Sequence, residues 1–324
     1  ISIGNITVGG TGKTPTAKLL ARYIRDLGYN IAILNRGYRA KWKGEVGVVS
    51  DGNTVFMTAD EAGDEAYLLA RSLPDIPVLI GTDRTISGKY AVDNFNVDVV
   101  ILDDGYQHWK LKRDLNILLV DAINVFGNGH MLPRGTLREP LNHLNRADMC
   151  LLTKVDQAAK GACEEIRSTL AKYNERALVV ESTHKPLGFI EIGNLFSKEK
   201  NEILSIDTMR GHKIIAMSAI GNPASFEQTL SDIGAVITES LRFPDHHDYT
   251  EQEIREVMNQ AEEQGAEAIV ITDKDAVKIP QTLLSKKRPI PIYIISIEVT
   301  FINNAEVAFK FLRDKLPPKK GIKK

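Results

Sequence analysis

Short aliphatic runs alternate with longer amphipathic stretches through the first half of the chain, and that alternation sets the expected fold. The runs fall at Ile1–Ile6, Tyr29–Leu34, Pro77–Ile80, Val97–Asp104, Leu115–Asp121 and Ala147–Thr153. Val97–Asp104 is nearly continuous in apolar residues, as a strand buried on both faces of a parallel sheet should be. Between the runs, Thr16–Leu27, a stretch from Ala59 to about Ser72, and another after Arg84 read as helices. Strand and helix in strict alternation predict an α/β fold, a doubly wound parallel sheet. Residues 40–58 are polar and punctuated by glycine, which predicts a hairpin excursion.

The texture changes around Thr183–Asn194, where Leu187–Ile192 reads as a short β ribbon followed by a polar segment. A second α/β series begins at Lys213 with a strand, a turn through Asn222-Pro223 and a helix. The strand Ala235–Leu241 follows, then a helix that opens on the capping pair Thr250 and Glu253 and ends near Gly265. Ala268–Thr272 and Ile292–Val299 complete it. The expected division is a larger domain over 1–182 and a smaller α/β domain over 183–324, joined by the ribbon. The tail Leu316–Lys324, with four lysines and two prolines, reads as a solvated end.

Chemistry concentrates where strands end. The first run passes into Thr7-Val8-Gly9-Gly10-Thr11-Gly12-Lys13-Thr14 and directly into a helix, the context of a phosphate-binding loop. Its glycines let backbone N–H groups wrap phosphate oxygens at the positive end of the helix. Lys13 is placed to reach the β and γ phosphates and Thr14 to ligate Mg²⁺, although Thr7 stands where the strict pattern has glycine. The fold class is therefore P-loop NTPase-like. Val97–Asp104 resembles a Walker B strand, with Asp103 and Asp104 available to hold Mg²⁺ directly or through water.

Other candidates carry two readings each. Arg36 follows the second strand, where open α/β sheets bind ligands, or is a surface arginine. Asp64 and Glu65 either complement a helix dipole or, for Asp64, supply a general base beside the nucleotide. Arg84 is a second cation after a strand. The loop Phe126–Glu139 is long, rich in glycine, and carries Arg134, Arg138 and Glu139. Thr153-Lys-Val-Asp156 looks like the base-reading element of GTPases, with Thr153 where asparagine is usual. Asp245-His246-His247 reads as metal ligands, as an acid/base or orienting histidine, or as a polar loop.

Composition narrows the classes. Charged residues make up 26% and leave a formal net charge of -1, so no global field recruits nucleic acid. Two cysteines, Cys150 and Cys163, form no C-x-x-C pair, and a cytosolic, reducing setting is expected. No run of apolar residues is long enough to span a bilayer, and no signal peptide is read. The chain opens inside a strand without an initiator Met, so any N-terminal anchor is expected to lie upstream of this sequence.

Taken as a set, residues 4–15, Arg36-Gly-Tyr38, Gly63-Asp-Glu65, Asp103-Asp-Gly-Tyr-Gln-His108, Leu132–Glu139 and Phe243-Pro-Asp-His-His247 resemble the tetraacyldisaccharide 4'-kinases, the lipid A 4'-kinases of Gram-negative bacteria. That family's own loop carries threonine at the position of Thr7. Ala66 stands where the family often has proline, and its usual leading membrane-associating helix does not appear here. The resemblance implies transfer of the ATP γ-phosphate to the 4'-hydroxyl of an acylated glucosamine disaccharide 1-phosphate, giving lipid IVA. It implies Asp64 as base, His246 as its orienting partner, and Lys13 and Thr14 on phosphate and Mg²⁺. Asp103, Asp104 and Glu139 become the metal-site carboxylates. Arg84 and Arg138 balance charge, while Arg36, Glu65, Gln107 and His108 line the substrate side. A monomer in peripheral contact with the cytoplasmic face of the inner membrane is the matching expectation. The competing class is a P-loop GTPase or ATPase switch, or a metallochaperone, acting on a protein partner.

Overall fold

A computed structural model describes residues 1–194, 203–284 and 288–319. The polar segment after the expected ribbon and the last five residues of the tail lie outside these. The elements in chain order are β1 (Ser2–Gly4), α1 (Lys13–Asp26), β2 (Ile31–Asn35), β3 (Gly47–Ser50), α2 (Ala59–Ala62), α3 (Asp64–Ser72), β4 (Val78–Ile80), α4 (Arg84–Phe95), β5 (Val99–Leu102), β6 (Asn116–Asp121), β7 (Met149–Thr153), α5 (Ala162–Tyr173), β8 (Leu178–Glu191), β9 (Lys213–Ser218), α6 (Pro223–Asp232), β10 (Val236–Arg242), α7 (Glu251–Glu263), β11 (Ala268–Thr272), α8 (Asp273–Ala276), α9 (Gln281–Leu284), β12 (Ile292–Asn303) and α10 (Ala305–Lys315).

They form two compact units, Ile1–His184 with Val299–Lys324, and Lys185–Glu298. In the first, the strand order is β8-β7-β6-β1-β5-β2-β4-β3. Every recorded pairing there is parallel except β3 on β4, the antiparallel excursion that residues 40–58 predict. The strands β2 and β7 are buried along their whole length. Ile6, Tyr106, Leu118, Val120, Leu144 and Leu152 pack on one another as a core cluster. Because β1 has β5 on one side and β6 on the other, the chain winds outward in both directions from it. Ligand crevices of open α/β sheets form at the carboxyl ends of strands around such a point.

The second unit is a parallel sheet in the order β10-β9-β11-β12. Ile215, Met217, Ile254, Ile269 and Ile294 lie in its largest recorded cluster of buried residues.

The structure differs from the sequence reading in three places. The expected helix from Ala59 is two helices, broken at Gly63, whose φ of 84° and ψ of 147° are not helical. The expected ribbon Leu187–Ile192 is the second half of β8, which runs unbroken from one unit into the other. Residues 299–319, expected with the smaller domain, belong to the first unit. Their helix α10 buries Ala308 and Leu312, and the Phe309 ring lies 4.4 Å from that of Tyr23 on α1.

Truncating Leu312, which is fully buried, to alanine should therefore destabilise the first unit by about 2–5 kcal/mol, the usual cost of a large-to-small core change. Urea unfolding checks this, and an unchanged midpoint would mean α10 is not part of that core.

Candidate active site

The loop between β1 and α1 is held open by groups other than its own. Gly12 precedes α1 with φ 85°, and a Cβ there would lie 2.9 Å from His184 Nε2, so both conformation and space call for glycine. No side chain caps α1 and its first turn has no acidic residue. Its leading amides and Lys13 thus present positive potential, which suits phosphate.

Three neighbouring segments brace this loop. Lys154 Nζ, buried, donates to the Gly10 carbonyl at 2.9 Å and to Asp121 Oδ2 at 3.0 Å. Thr153 Oγ1 donates to the Thr11 carbonyl at 3.1 Å. Gln107 Nε2 donates to the Asn5 carbonyl at 2.8 Å. The long loop Phe126–Glu139 runs alongside: Val8 N–H donates to the Thr136 carbonyl at 2.8 Å and Arg138 N–H to that of Ile6 at 2.7 Å. Backbone pairing therefore delivers Arg138 and Glu139 to the phosphate loop.

At the loop mouth, Asp104 accepts from Arg138 Nη1 at 2.9 and 3.1 Å, and Lys13 Nζ is 3.9 Å away. The buried Asn5 side chain joins them, its Oδ1 accepting from Lys13 at 3.4 Å and Arg138 at 3.3 Å. Asp103 turns the other way. It is fully buried, and its Oδ2 accepts from Asn35 Nδ2 at 3.0 Å. The two consecutive carboxylates thus occupy different environments, one lining the mouth and one tying β5 to the end of β2.

Glu139, also buried, is clamped at Oε2 by Arg146 and by His143 Nδ1, the latter at 2.6 Å. The Arg146 guanidinium lies over two rings, 4.3 Å from the Tyr106 centroid and 4.0 Å from that of Trp109. Glu139 Oε1 has no hydrogen-bond partner among the described residues, and neither have Arg84 Nε, Gln107 Oε1 and His108 Nε2. Leaving a buried polar atom unsatisfied costs about 1–3 kcal/mol. Several such atoms on residues singled out for one site are what a polar ligand would meet.

Arg84 opens α4, is almost fully buried, and donates Nη1 to the Thr82 carbonyl at 2.9 Å. Burial lowers its pKa from the ordinary value, and the like charge of Arg36 lowers it further, while Asp104 opposes. Two guanidinium groups that repel each other at one end of a sheet form a favourable place for an anion. His108 lies beside them, its Nε2 3.8 Å from Asp83 Oδ1. Burial, then the charge on Arg84, depress its pKa, so the ring is neutral near pH 7.

Asp64 and Glu65 open α3 after Gly63, where a Cβ would lie 2.5 Å from the Tyr38 carbonyl oxygen. That contact packs the start of α3 on the turn that follows Arg36, at the carboxyl end of β2. His246 belongs to the second unit, in a left-handed conformation with φ 63°, its N–H donating to the Ala219 carbonyl at 3.2 Å. Among the described residues no group of three or more His, Cys, Asp or Glu gathers as a metal site, including around Asp245-His246-His247.

The structure adds residues that sequence reading passed over. Asn5, Asp121 and Arg146 hold the loop and Glu139, and Lys154 acts through its ammonium on the loop. The stretch Thr153–Asp156, whose letters suggest a base reader, thus contributes two braces to the loop.

Replacing Lys154 by methionine leaves Asp121 buried without its cation, a change that typically costs about 3–5 kcal/mol. Nucleotide affinity measured by calorimetry should fall by roughly tenfold or more, equivalent to about 1.4 kcal/mol, together with the melting temperature. Unchanged affinity would mean the loop keeps its shape alone. For His108 the sign follows from its depressed pKa. Between the folded value and 6.5 the unfolded chain binds more protons, so stability is full above 6.5 and declines as pH falls through that window. An NMR titration should place its midpoint below 6.5, and His108→Gln should flatten that part of the stability profile.

A sequence profile described as tetraacyldisaccharide-1-P 4'-kinase matches residues 1–316. A tetraacyldisaccharide 4'-kinase of Halothermothrix orenii is 37% identical over 315 residues, 95% of this chain and 82% of that protein. One from Syntrophus aciditrophicus is 41% identical over 305 residues, 92% and 79% of the two chains. The crystal structure of LpxK from Aquifex aeolicus in complex with ATP superposes with a TM-score of 0.73 at 29% identity, covering 98% of this chain and 88% of that one. That agreement extends to the fold, a mostly parallel α/β sheet of the P-loop kinase kind. With matches over nearly its whole length, the chain belongs to the tetraacyldisaccharide-1-phosphate 4'-kinase family.

Proposed function

We propose that the chain transfers the γ-phosphate of ATP to the 4'-hydroxyl of tetraacyldisaccharide 1-phosphate, forming lipid IVA in lipid A biosynthesis. Family membership supports this, and one observation carries it at the site: Lys13, Asp104 and Arg138 meet at the mouth of an uncapped helix N-terminus. Phosphoryl transfer needs little covalent help from the protein. It needs the phosphates positioned and their charge neutralised.

In this reading Thr7–Thr14 wrap the ATP phosphates, with Lys13 on the β and γ groups. Arg84 and Arg138 offset the charge of the transferring group. Arg36, Glu65, Gln107 and His108 face the sugar phosphate, and the neutral His108 ring can donate or accept without adding charge. Asp64 accepts the proton of the 4'-hydroxyl as its oxygen bonds to the γ phosphorus, and the bridging oxygen leaves with its electron pair on ADP. His246 assists that proton transfer.

Mg²⁺ fits the donor set. The ion keeps several waters and takes only one or two carboxylates beside substrate phosphates. Thr14, Asp104 and the unpartnered Oε1 of Glu139 are the groups that would hold it, where it would neutralise phosphate charge; Asp103, whose Oδ2 accepts from Asn35, is the third carboxylate of the expected set.

Peripheral association with the cytoplasmic face of the inner membrane, as a monomer, completes the proposal. No helix among the described residues is long and apolar enough to cross a membrane. Val8, Trp109, Met131 and Leu132 are exposed apolar residues close in sequence to the loops of the site.

Asp64→Ala should lower turnover by about two to four orders of magnitude, the usual worth of a general base, with ATP affinity nearly unchanged. Steady-state kinetics alongside nucleotide titration separate the cases. If ATP binding is lost instead, Asp64 is structural or a metal ligand.

A further inference from the structure

The fully buried carboxylate of Asp275, in the second unit, has no place in the scheme above. Its Oδ1 accepts from Ala219 N–H at 2.9 Å and from the Tyr249 hydroxyl at 3.0 Å, and its Oδ2 from the Thr272 hydroxyl at 2.6 Å. Lys278 Nζ, also buried, lies 3.7 Å from Oδ1. Burial raises the Asp275 pKa, while these donors and the Lys278 charge pull it back. A carboxylate this deep is retained at a cost in desolvation, so the groups it holds are informative.

Those groups flank one turn. Ala219, whose N–H the carboxylate takes, offers its carbonyl to the His246 N–H at 3.2 Å and to Lys278 Nζ at 3.5 Å. Tyr249, whose hydroxyl it takes, sets its ring edge-on to Phe243 at 5.2 Å and to His247 at 5.3 Å. Phe243 and His247 stack at 4.9 Å, and Phe243 N–H donates to the Ser218 carbonyl at 2.8 Å. Between these fixed points His246 adopts a φ of 63°, which L residues other than glycine rarely take. Such a conformation costs on the order of 1–3 kcal/mol and persists only where its surroundings over-determine it. Asp275 touches both of the anchors that do so.

We infer that Asp275 is a positioning residue for His246. Through Ala219 on one side and Tyr249 on the other, it holds the 243–249 turn in the conformation that presents the histidine. The inference rests on the proposed role of His246 in proton transfer, and it extends that role to a buried residue outside the turn.

The test uses the full chain and steady-state kinetics with ATP and the acceptor lipid. Asp275→Asn and the milder Tyr249→Phe, which removes one hydroxyl and keeps the ring packing, are made alone and in a His246→Ala background. Each alone should lower kcat by about 10- to 100-fold, the loss expected when a reacting group is misplaced by an ångström or so, with KM for ATP held within about twofold. On the His246→Ala background neither should lower kcat further, since residues acting through one group are non-additive. If His246→Ala slows turnover but the second change multiplies the loss, Asp275 acts elsewhere and this inference fails alone. If His246→Ala leaves kcat intact, the histidine's role fails and the inference with it. Should Asp275→Asn not fold, Tyr249→Phe decides: a lower melting temperature with unchanged kcat would make the network purely structural.

Discussion

The contact on which the first unit's chemistry depends is the buried ammonium of Lys154 shared between the Gly10 carbonyl and Asp121. A glycine-rich loop has little intrinsic preference for one shape, because glycine gives up the most conformational freedom on ordering. Something outside the loop must therefore fix it. Lys154 does so from the end of β7, Thr153 from the same turn, Gln107 from the segment after β5, and Arg138 from the long loop before β7. Each brace leaves a strand at its carboxyl end, so sheet order and loop geometry are one constraint.

The same principle sorts the acidic residues. Asp103, Asp121 and Asp275 are all buried, and each accepts hydrogen bonds from a neighbouring element. They hold other groups in place. Asp104, at the loop mouth between Lys13 and Arg138, is about a quarter exposed and paired with those two cations. Two consecutive aspartates thus do different work because the end of β5 turns one toward Asn35 and the other, at a φ of 53°, toward the mouth. Arg84 shows the converse: a cation kept buried beside another cation, stable in company with an anion.

Much of this was legible in the chain. Gly9 to Thr14 and the apolar run ending in Asp103-Asp104 carry much of their geometry in residue type, since Gly9 and Gly12 take positive φ and a strand buried on both faces reads as continuous apolar sequence. Arg36, Arg84 and Asp64 were legible as residues that leave strands or open helices. The brace made by Lys154 was not legible, because only the strand order places the end of β7 beside the loop. Arg146 and Asp275 were invisible, one needing the two rings that enclose it and the other needing the turn it supports from the short helix α8. The continuity of β8 was hidden by polar residues at its middle, where His184-Lys185 break the apolar pattern. Helix α10 belongs with the first unit for a reason no local pattern carries, the packing of Phe309 on Tyr23.

The most direct measurement is phosphate transfer itself. The full-length protein is incubated with Mg²⁺, γ-labelled ATP and tetraacyldisaccharide 1-phosphate in detergent, with labelled GTP in parallel. The account predicts label on the lipid at its 4'-position, from ATP in preference to GTP. Labelled free phosphate without labelled lipid, or transfer selective for GTP, would contradict it.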